Sequence, residues 1–355
     1  MRKQSLKRGA NGPQRRIEAK SFALLLALVI FFPSCSGNKT GNNSGANVTP
    51  AAASPSPTAA PQTKFSIDGD RAFEHVRKQV EIGPRPAGSP ELAKARDYIV
   101  NELKSYGLNV TLDEFTPITP VGQRKMVNVI AELPGESTDV VILSSHYDTK
   151  LFKEFRFVGA NDGGSSTGTL LEMARVLAQS GQKRPLTYWF VFFDGEEAFC
   201  KGWDKNEPEG CANPDGPDNT YGSRHMVKQL KEKGEIKRVR AMILLDMMGY
   251  KNLRLGQDRE MSTPWLIEEV WRTARDLGYS KQFIDEEEGV GGDDHEPFLK
   301  EGIQSLDIIQ LSTYGYWHTA DDTLDKISPQ SLKIVGDVVL NSLPRIEQRL
   351  LNTRA

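Results

Sequence analysis

Cysteine and histidine are both scarce in this chain, three and five in 355 residues. A chain of this length buries enough apolar surface to fold without a disulfide scaffold. Its 38% hydrophobic and 26% charged residues are ordinary for a soluble globular protein, with room for one large domain or two small ones. Internal repeats are missing, and so is the Gly-rich fingerprint of dinucleotide-binding folds. Long apolar runs are limited to one, "SFALLLALVIFF" over Ser21–Phe32, which is too short for a comfortable membrane span.

That run follows a basic stretch. Residues 1–35 hold seven basic side chains, Arg2 to Lys20, against Glu18 alone. A basic lead, a short apolar segment and small residues after it describe an export signal. Cys35, in "FFPSCSGN", resembles the cysteine of bacterial lipoproteins that is lipidated and becomes the first residue. The expectation is an exported protein of the periplasm or cell envelope, lipid-anchored through Cys35 and touching a membrane only there. Plain secretion is the alternative. Without residues 1–35 the formal charge of −2 becomes −8. So acidic a chain lacks the basic face that phosphate neutralisation needs, and no nucleic-acid partner is expected.

Residues 36–64 are rich in Pro, Ser, Asn and Ala and poor in large apolar side chains. They cannot bury enough surface to offset the entropy of ordering, and read as a tether. Residues 65–355 read as the folded domain. "DRAFEHVRKQVEI" has helical spacing through Phe73, Val76, Val80 and Ile82, and "GPRPAGSP" breaks it. Ser89 and Pro90 open a second helix that Gly107 ends. Two strand patterns follow, and then strands and helices alternate to the closing helix. The predicted fold is α/β: a single globular domain whose mixed, mostly parallel sheet is sandwiched by helices.

In such sheets sites form beyond the carboxyl ends of the strands. Those ends read "SHYD" (Ser145–Asp148), "DGEE" (Asp194–Glu197), "LLDMMG" (Leu244–Gly249) and "STYGYWH" (Ser312–His318), and the loop "FVGANDGGSS" adds Asp162. His146, Asp162, the pair Glu196–Glu197, Asp246 and His318 are thus contributed by separate elements. Imidazole with carboxylates suits catalytic zinc, and a dication offsets the repulsion of clustered carboxylates. In "HYD", positions i and i+2 face the same way, so Asp148 can orient the His146 ring. Glu196 and Glu197 point in different directions, so one can bind metal while the other serves as general acid/base. Asp194 reads as a turn-stabilising carboxylate.

Other residues have plainer readings. Cys200 and Cys211 can close a short loop in an oxidising compartment; free thiols are the alternative, and zinc would lack a nearby third ligand. Trp189, Trp265 and Trp271 read as core, and His75 as helix surface. His225 and His295 read as structural. Asp293 and Asp294 can cap the helix that follows them.

Taken in order, "HYD", "GANDGG", "FFDGEEAF", "YGSRH", "LLDMMG", "DDHEPFL" and "WHTADDT" resemble the zinc aminopeptidase-like fold family and, more narrowly, the glutaminyl-peptide cyclotransferases, over the whole of residues 65–355. The resemblance implies one zinc held by Asp162, Glu197 and His318, with Glu196 as proton shuttle and Asp246 and Asp293 as an acidic network beside it. It implies that Trp203 and Trp317 flank the substrate pocket. His146 and Asp246 match residues that hold a second metal in two-zinc aminopeptidases, so two ions would also fit. The implied substrates are peptides or proteins with N-terminal Gln, converted to pyroglutamate with release of ammonia. A zinc metallo-aminopeptidase and a non-catalytic binding module on the same fold are the competing readings.

Overall fold

The structure, a computed structural model, describes residues 64–202, 210–214 and 216–353. The export segment with Cys35, the tether up to residue 63, and Trp203 lie outside the described residues. Among the described residues no helix is long and apolar enough to cross a membrane.

Helix α1 (Gly69–Ile82) starts at Asp68, whose carboxylate accepts the amides of Asp70 and Arg71. Helix α2 (Pro90–Ser105) starts where the sequence predicts. Ser89 Oγ accepts the Leu92 amide at 3.0 Å, and Pro90 takes the first position, where no N–H is needed. His75 departs from expectation. It is buried rather than on the helix surface, because it packs toward α2: its ring nitrogens lie 2.6 Å from Tyr98 Oη and 3.3 Å from Tyr106 Oη.

The chain continues through β1 (Asn109–Phe115), β2 (Ile118–Thr119), β3 (Gly122–Gln123), β4 (Met126–Leu133), β5 (Ser137–His146), α3 (Gly164–Gln179), β6 (Leu186–Phe193) and α4 (Tyr221–Glu232). It then runs through β7 (Val239–Leu245), β8 (Leu255–Gln257), α5 (Pro264–Asp276), β9 (Phe283–Glu287), α6 (Glu296–Lys300), β10 (Gln304–Ile308) and α7 (Pro329–Asn352). Six strands form one sheet in the order β1-β4-β6-β5-β7-β10. The pairs β1–β4 and β4–β6 are antiparallel; β6, β5, β7 and β10 run parallel. This is the mixed, mostly parallel sheet that the alternation predicts. The sequence pattern does not predict the ribbons β2–β3 and β8–β9: β2, β3 and β8 have only two or three residues and carry no readable period, and β9, Phe283–Glu287, ends in three consecutive acidic residues without alternation.

Burial on both faces explains why the parallel strands are apolar without a break. Along β5, Val141 and Leu143 join the larger core while Val140 and Ile142 join the smaller one. Along β6, Tyr188, Phe190 and Phe192 go to the first and Trp189, Val191 and Phe193 to the second. The two-residue period divides each strand between two layers. Register then sets the site. His146 pairs with Phe193, Ser144 with Leu244, and Leu245 with Ile308. The parallel strands therefore finish together, and the residues that follow them emerge along one edge.

Candidate metal and active site

Beyond β6, Gly195 turns the chain with φ 71° and lets Glu196 and Glu197 face inward. Their backbone amides donate to the two oxygens of Asp148, at 3.2 and 3.3 Å. Asp148 Oδ1 also lies 3.5 Å from His146 Nδ1, yet that nitrogen has no hydrogen-bond partner. Asp148 thus stands beside the imidazole, as the i, i+2 spacing predicts, while its oxygens also accept from the tight turn that carries both glutamates. Asp194 ties the same turn to β4, accepting the Val127 amide at 2.8 Å and the Tyr147 hydroxyl at 3.3 Å.

Two groups of ligand-type residues converge and share Asp162. The donor atoms of Asp162, Glu197 and His318 lie within 4.8 Å of one another, as do those of His146, Asp162 and Asp246. His318 Nε2 is 3.4 Å from Asp162 Oδ2 and 3.3 Å from Glu197 Oε1. His146 Nε2 is 3.2 Å from both Asp162 Oδ1 and Asp246 Oδ1. Asp162 Oδ2 and Glu197 Oε2 are buried and hydrogen-bonded to nothing. Orphaned anionic oxygens of this kind are costly unless a cation satisfies them, so the first group fits a dication on its own chemistry. Gly163 admits the crowding: at φ 70°, a Cβ there would stand 2.9 Å from the His146 ring.

The electrostatics follow from burial and neighbours. Burial pushes the Glu196 carboxyl well above its ordinary range, helped by Asp293, Glu197 and Asp294 and opposed by His146. Burial raises Glu197 and Asp246 as well, and carries Asp293 up to about 7 with the help of Asp246. Burial opposes the charge on His318, but Glu197 and Asp162 outweigh it and raise the imidazole to about 9. A dication would do what these protons do and offset the carboxylate charge.

Asp162, Glu196, Glu197, Asp246, Asp293 and His318 line a cavity of about 190 Å³ together with Asn219, Trp317 and an apolar wall of Met247, Val290, Ile309 and Leu311. That is smaller than the roughly 300–1,000 Å³ of sites for drug-sized ligands, and suits a single side chain. Trp317 stacks on His318 with ring centroids 4.1 Å apart and remains 38% exposed. Met247 and His318 are in the left-handed region (φ 41° and 54°), as is Thr220 (φ 49°) beside Asn219. Among the described residues no other non-glycine does this, and backbone strain of this kind persists where the surroundings over-determine a functional geometry.

Asp293 and Asp294 do not cap the next helix with their side chains; His295 stands at the cap position of α6, and only the Asp293 carbonyl accepts the Glu296 amide. His225 lies outside this cavity, 3.2 Å from Asp113 and stacked on Phe115. Cys200 and Cys211 are joined by a disulfide with Cα atoms 5.9 Å apart. Sequence reasoning missed several supporting residues. Arg85 looked like part of a helix breaker, and Asp322 like the tail of a motif. Asn161, which binds the Gly249 amide and the Met247 carbonyl, gave no signal apart from its place beside Asp162.

Residues 128–343 match the model for peptidase family M28. The glutaminyl-peptide cyclotransferase of Bos taurus is 30% identical over 295 residues, covering 73% of this chain and 78% of that protein. The crystal structure of an Acidobacteriales bacterium glutaminyl cyclase is 36% identical, with a TM-score of 0.74 over 83% of this chain and 99% of that one. A Zn-dependent exopeptidase from Parabacteroides distasonis is 29% identical, with a TM-score of 0.69 over 79% of this chain and 98% of that one.

Proposed function

The chain belongs to peptidase family M28 and, within it, to the glutaminyl-peptide cyclotransferases, and from that membership we propose that it is a zinc-dependent glutaminyl cyclase acting on peptides or proteins that begin with Gln. The observation that carries the reading is the split between two adjacent glutamates. Glu197 lies in a group of three ligand-type residues with Asp162 and His318, while Glu196 is outside both such groups and lines the same cavity.

Zinc held by Asp162, Glu197 and His318 would act as a Lewis acid on the side-chain carbonyl of the substrate Gln. The chain's own residues manage the proton. As the substrate's α-amino nitrogen bonds to the side-chain amide carbon, Glu196 takes a proton from it. Glu196 then gives that proton to the amide nitrogen, whose bond to carbon breaks, so ammonia leaves and a five-membered lactam remains. A carboxyl that burial pushes well above its ordinary range suits both halves of this task. Asp293, with Asp246 behind it, offers acceptor oxygens to the departing nitrogen. The apolar wall and Trp317 limit access of water, so the tethered amine keeps its intramolecular advantage as nucleophile.

A second reading, metallo-aminopeptidase, is favoured by one feature: His146, Asp162 and Asp246 form a further ligand-type group. In that case Glu196 would activate water. Incubating zinc-loaded protein with a Gln-initiated and a Leu-initiated peptide, and weighing the products, separates the two. Loss of ammonia from the first alone supports the cyclase; release of free Leu overturns it. The same proposal has the enzyme work outside the cytoplasm on a lipid tether, in which case Cys35→Ser moves it from the membrane fraction to the soluble fraction.

A further inference from the structure

Loop 158–162, which carries the one residue common to both ligand-type groups, belongs to no strand or helix. Five of its backbone groups are nevertheless held by two residues distant in sequence, Arg85 and Asp322. Arg85 is fully buried. Its Nη1 donates to the Val158 carbonyl at 2.6 Å and its Nη2 to the Gly159 carbonyl at 3.2 Å. Asp322, also fully buried, takes the next three residues. Its carbonyl accepts the Ala160 amide at 3.3 Å, its Oδ1 the Asn161 amide at 2.8 Å, and its Oδ2 the Asp162 amide at 3.1 Å. Tyr314 Oη braces Asp322 Oδ1 at 2.6 Å.

The cation thus grips the carbonyls at one end of the loop and the anion grips the amides at the other. Arg85 reaches a second segment as well. Its Nε donates to the Tyr147 carbonyl at 3.2 Å, one residue past His146, and its own backbone pairs with Thr149 through bonds of 2.9 and 3.2 Å. One guanidinium therefore spans the limb bearing His146 and the limb bearing Asp162. Burial lowers its pKa to about 10 against the opposing charges of Asp148, Asp162 and Asp322, so it stays charged at neutral pH. Gly159, at φ 52°, makes the turn between the two grips, where a Cβ would stand 2.4 Å from the Asp162 carbonyl oxygen.

We infer that Arg85 and Asp322 are positioning residues: a paired clamp that holds Asp162 at its distance from His146 and His318 and so sets the affinity of the chain for zinc. The inference rests on the metal reading above. Neither side chain reaches the ligand atoms; both act through the backbone. A lysine could supply the charge of Arg85 but not a planar fork able to serve three carbonyls on two segments. An asparagine at 322 would turn an N–H₂ toward an amide N–H.

The test is zinc affinity, measured by competition with a chromophoric chelator, beside the melting temperature of the metal-free protein. Arg85→Lys and Asp322→Asn are expected to weaken zinc about 10–100-fold, the usual effect of losing a residue that orients a ligand. Glu347→Gln, which breaks a buried ion pair at the other end of the sheet, is the control. It should lower the melting temperature and leave zinc affinity alone. Folded Arg85→Lys and Asp322→Asn proteins that bind zinc as the wild type does would overturn the clamp. Should Arg85→Lys fail to fold, Asp322→Asn and the milder Tyr314→Phe decide, and wild-type affinity in both overturns it. Failure of the wild-type chain to take up zinc would instead remove the metal reading, and this inference with it.

Discussion

The two ends of the parallel strands handle buried charge in opposite ways. At the amino ends charges are matched. Arg184 donates to both oxygens of Glu347 at 3.0 and 2.7 Å, Tyr188 adds a hydroxyl at 2.6 Å, and Arg240 meets Asp139 at 2.6 Å. At the carboxyl ends buried carboxylates outnumber cations, and oxygens of Asp162, Glu197, Asp294 and Asp307 have no hydrogen-bond partner. The Arg184–Glu347 pair is as buried as the carboxylates at the other end, so the difference there lies in what the charges face. A satisfied pair holds the fold; an unsatisfied cluster costs stability and is tolerable where an ion, a substrate or a proton completes it.

Four experiments break or sharpen this contrast. The largest effect belongs to Glu196→Gln, which leaves every ligand-type residue in place and removes only the carboxyl proposed to carry the proton. Turnover should fall about 10²–10⁴-fold with zinc content unchanged, read by ammonia release and metal analysis. Undiminished turnover would end the shuttle role. Next is Glu347→Gln at the matched end. Stripping the partner from buried Arg184 should cost roughly 3–5 kcal/mol in urea unfolding, with turnover per folded molecule unaltered.

The third substitution should go the other way. Burial, reinforced by Asp293, pushes the Asp294 carboxyl well up. Its folded pKa lies above its unfolded value near 3.9, so its contribution to stability is present in acid and is lost as pH rises. Asp294→Asn should therefore raise the melting temperature of the metal-free protein, by about 2–4 °C for each kcal/mol regained. The gain should vanish near pH 3 and grow toward neutrality. A melting temperature that falls at neutral pH would show the unmatched end to be less strained than its geometry implies.

The smallest effect is expected at His75, which lies at neither end. Burial lowers its pKa, so the stability tied to the neutral ring is present above an unfolded value near 6.5 and is lost as pH falls. Replacing it with Gln should flatten the change in melting temperature between pH 7.5 and 5.5. An unchanged pH profile would assign that slope to other groups.

Much of the fold was legible because it rests on local periodicity. The short apolar runs in "DVVILSSH" and "LTYWFVFF", the Ser89–Pro90 start and the Gly107 stop are each read within a few residues. What stayed hidden depends on partners distant in sequence. His75 looked exposed because the two tyrosines that cover it lie on and just past another helix. Asp148 stands two positions past His146 and beside its ring, which the local spacing predicts, but its second task does not show locally. The two amides that take up its oxygens come from a different strand end, 48 and 49 positions away. Arg85 and Asp322 are 237 positions apart in sequence, yet they hold one five-residue loop.

By itself the sequence determined the order of the helices and of the six strands of the main sheet, the family, and the residue types gathered at the strand ends, since all three are written in local pattern and motif. Tertiary structure alone decided how closely those carboxylates and imidazoles stand, how deeply each is buried, and which buried charges hold the backbone around them. Electrostatic energy depends on distance and burial, and both are set only when the four parallel strands finish at one edge.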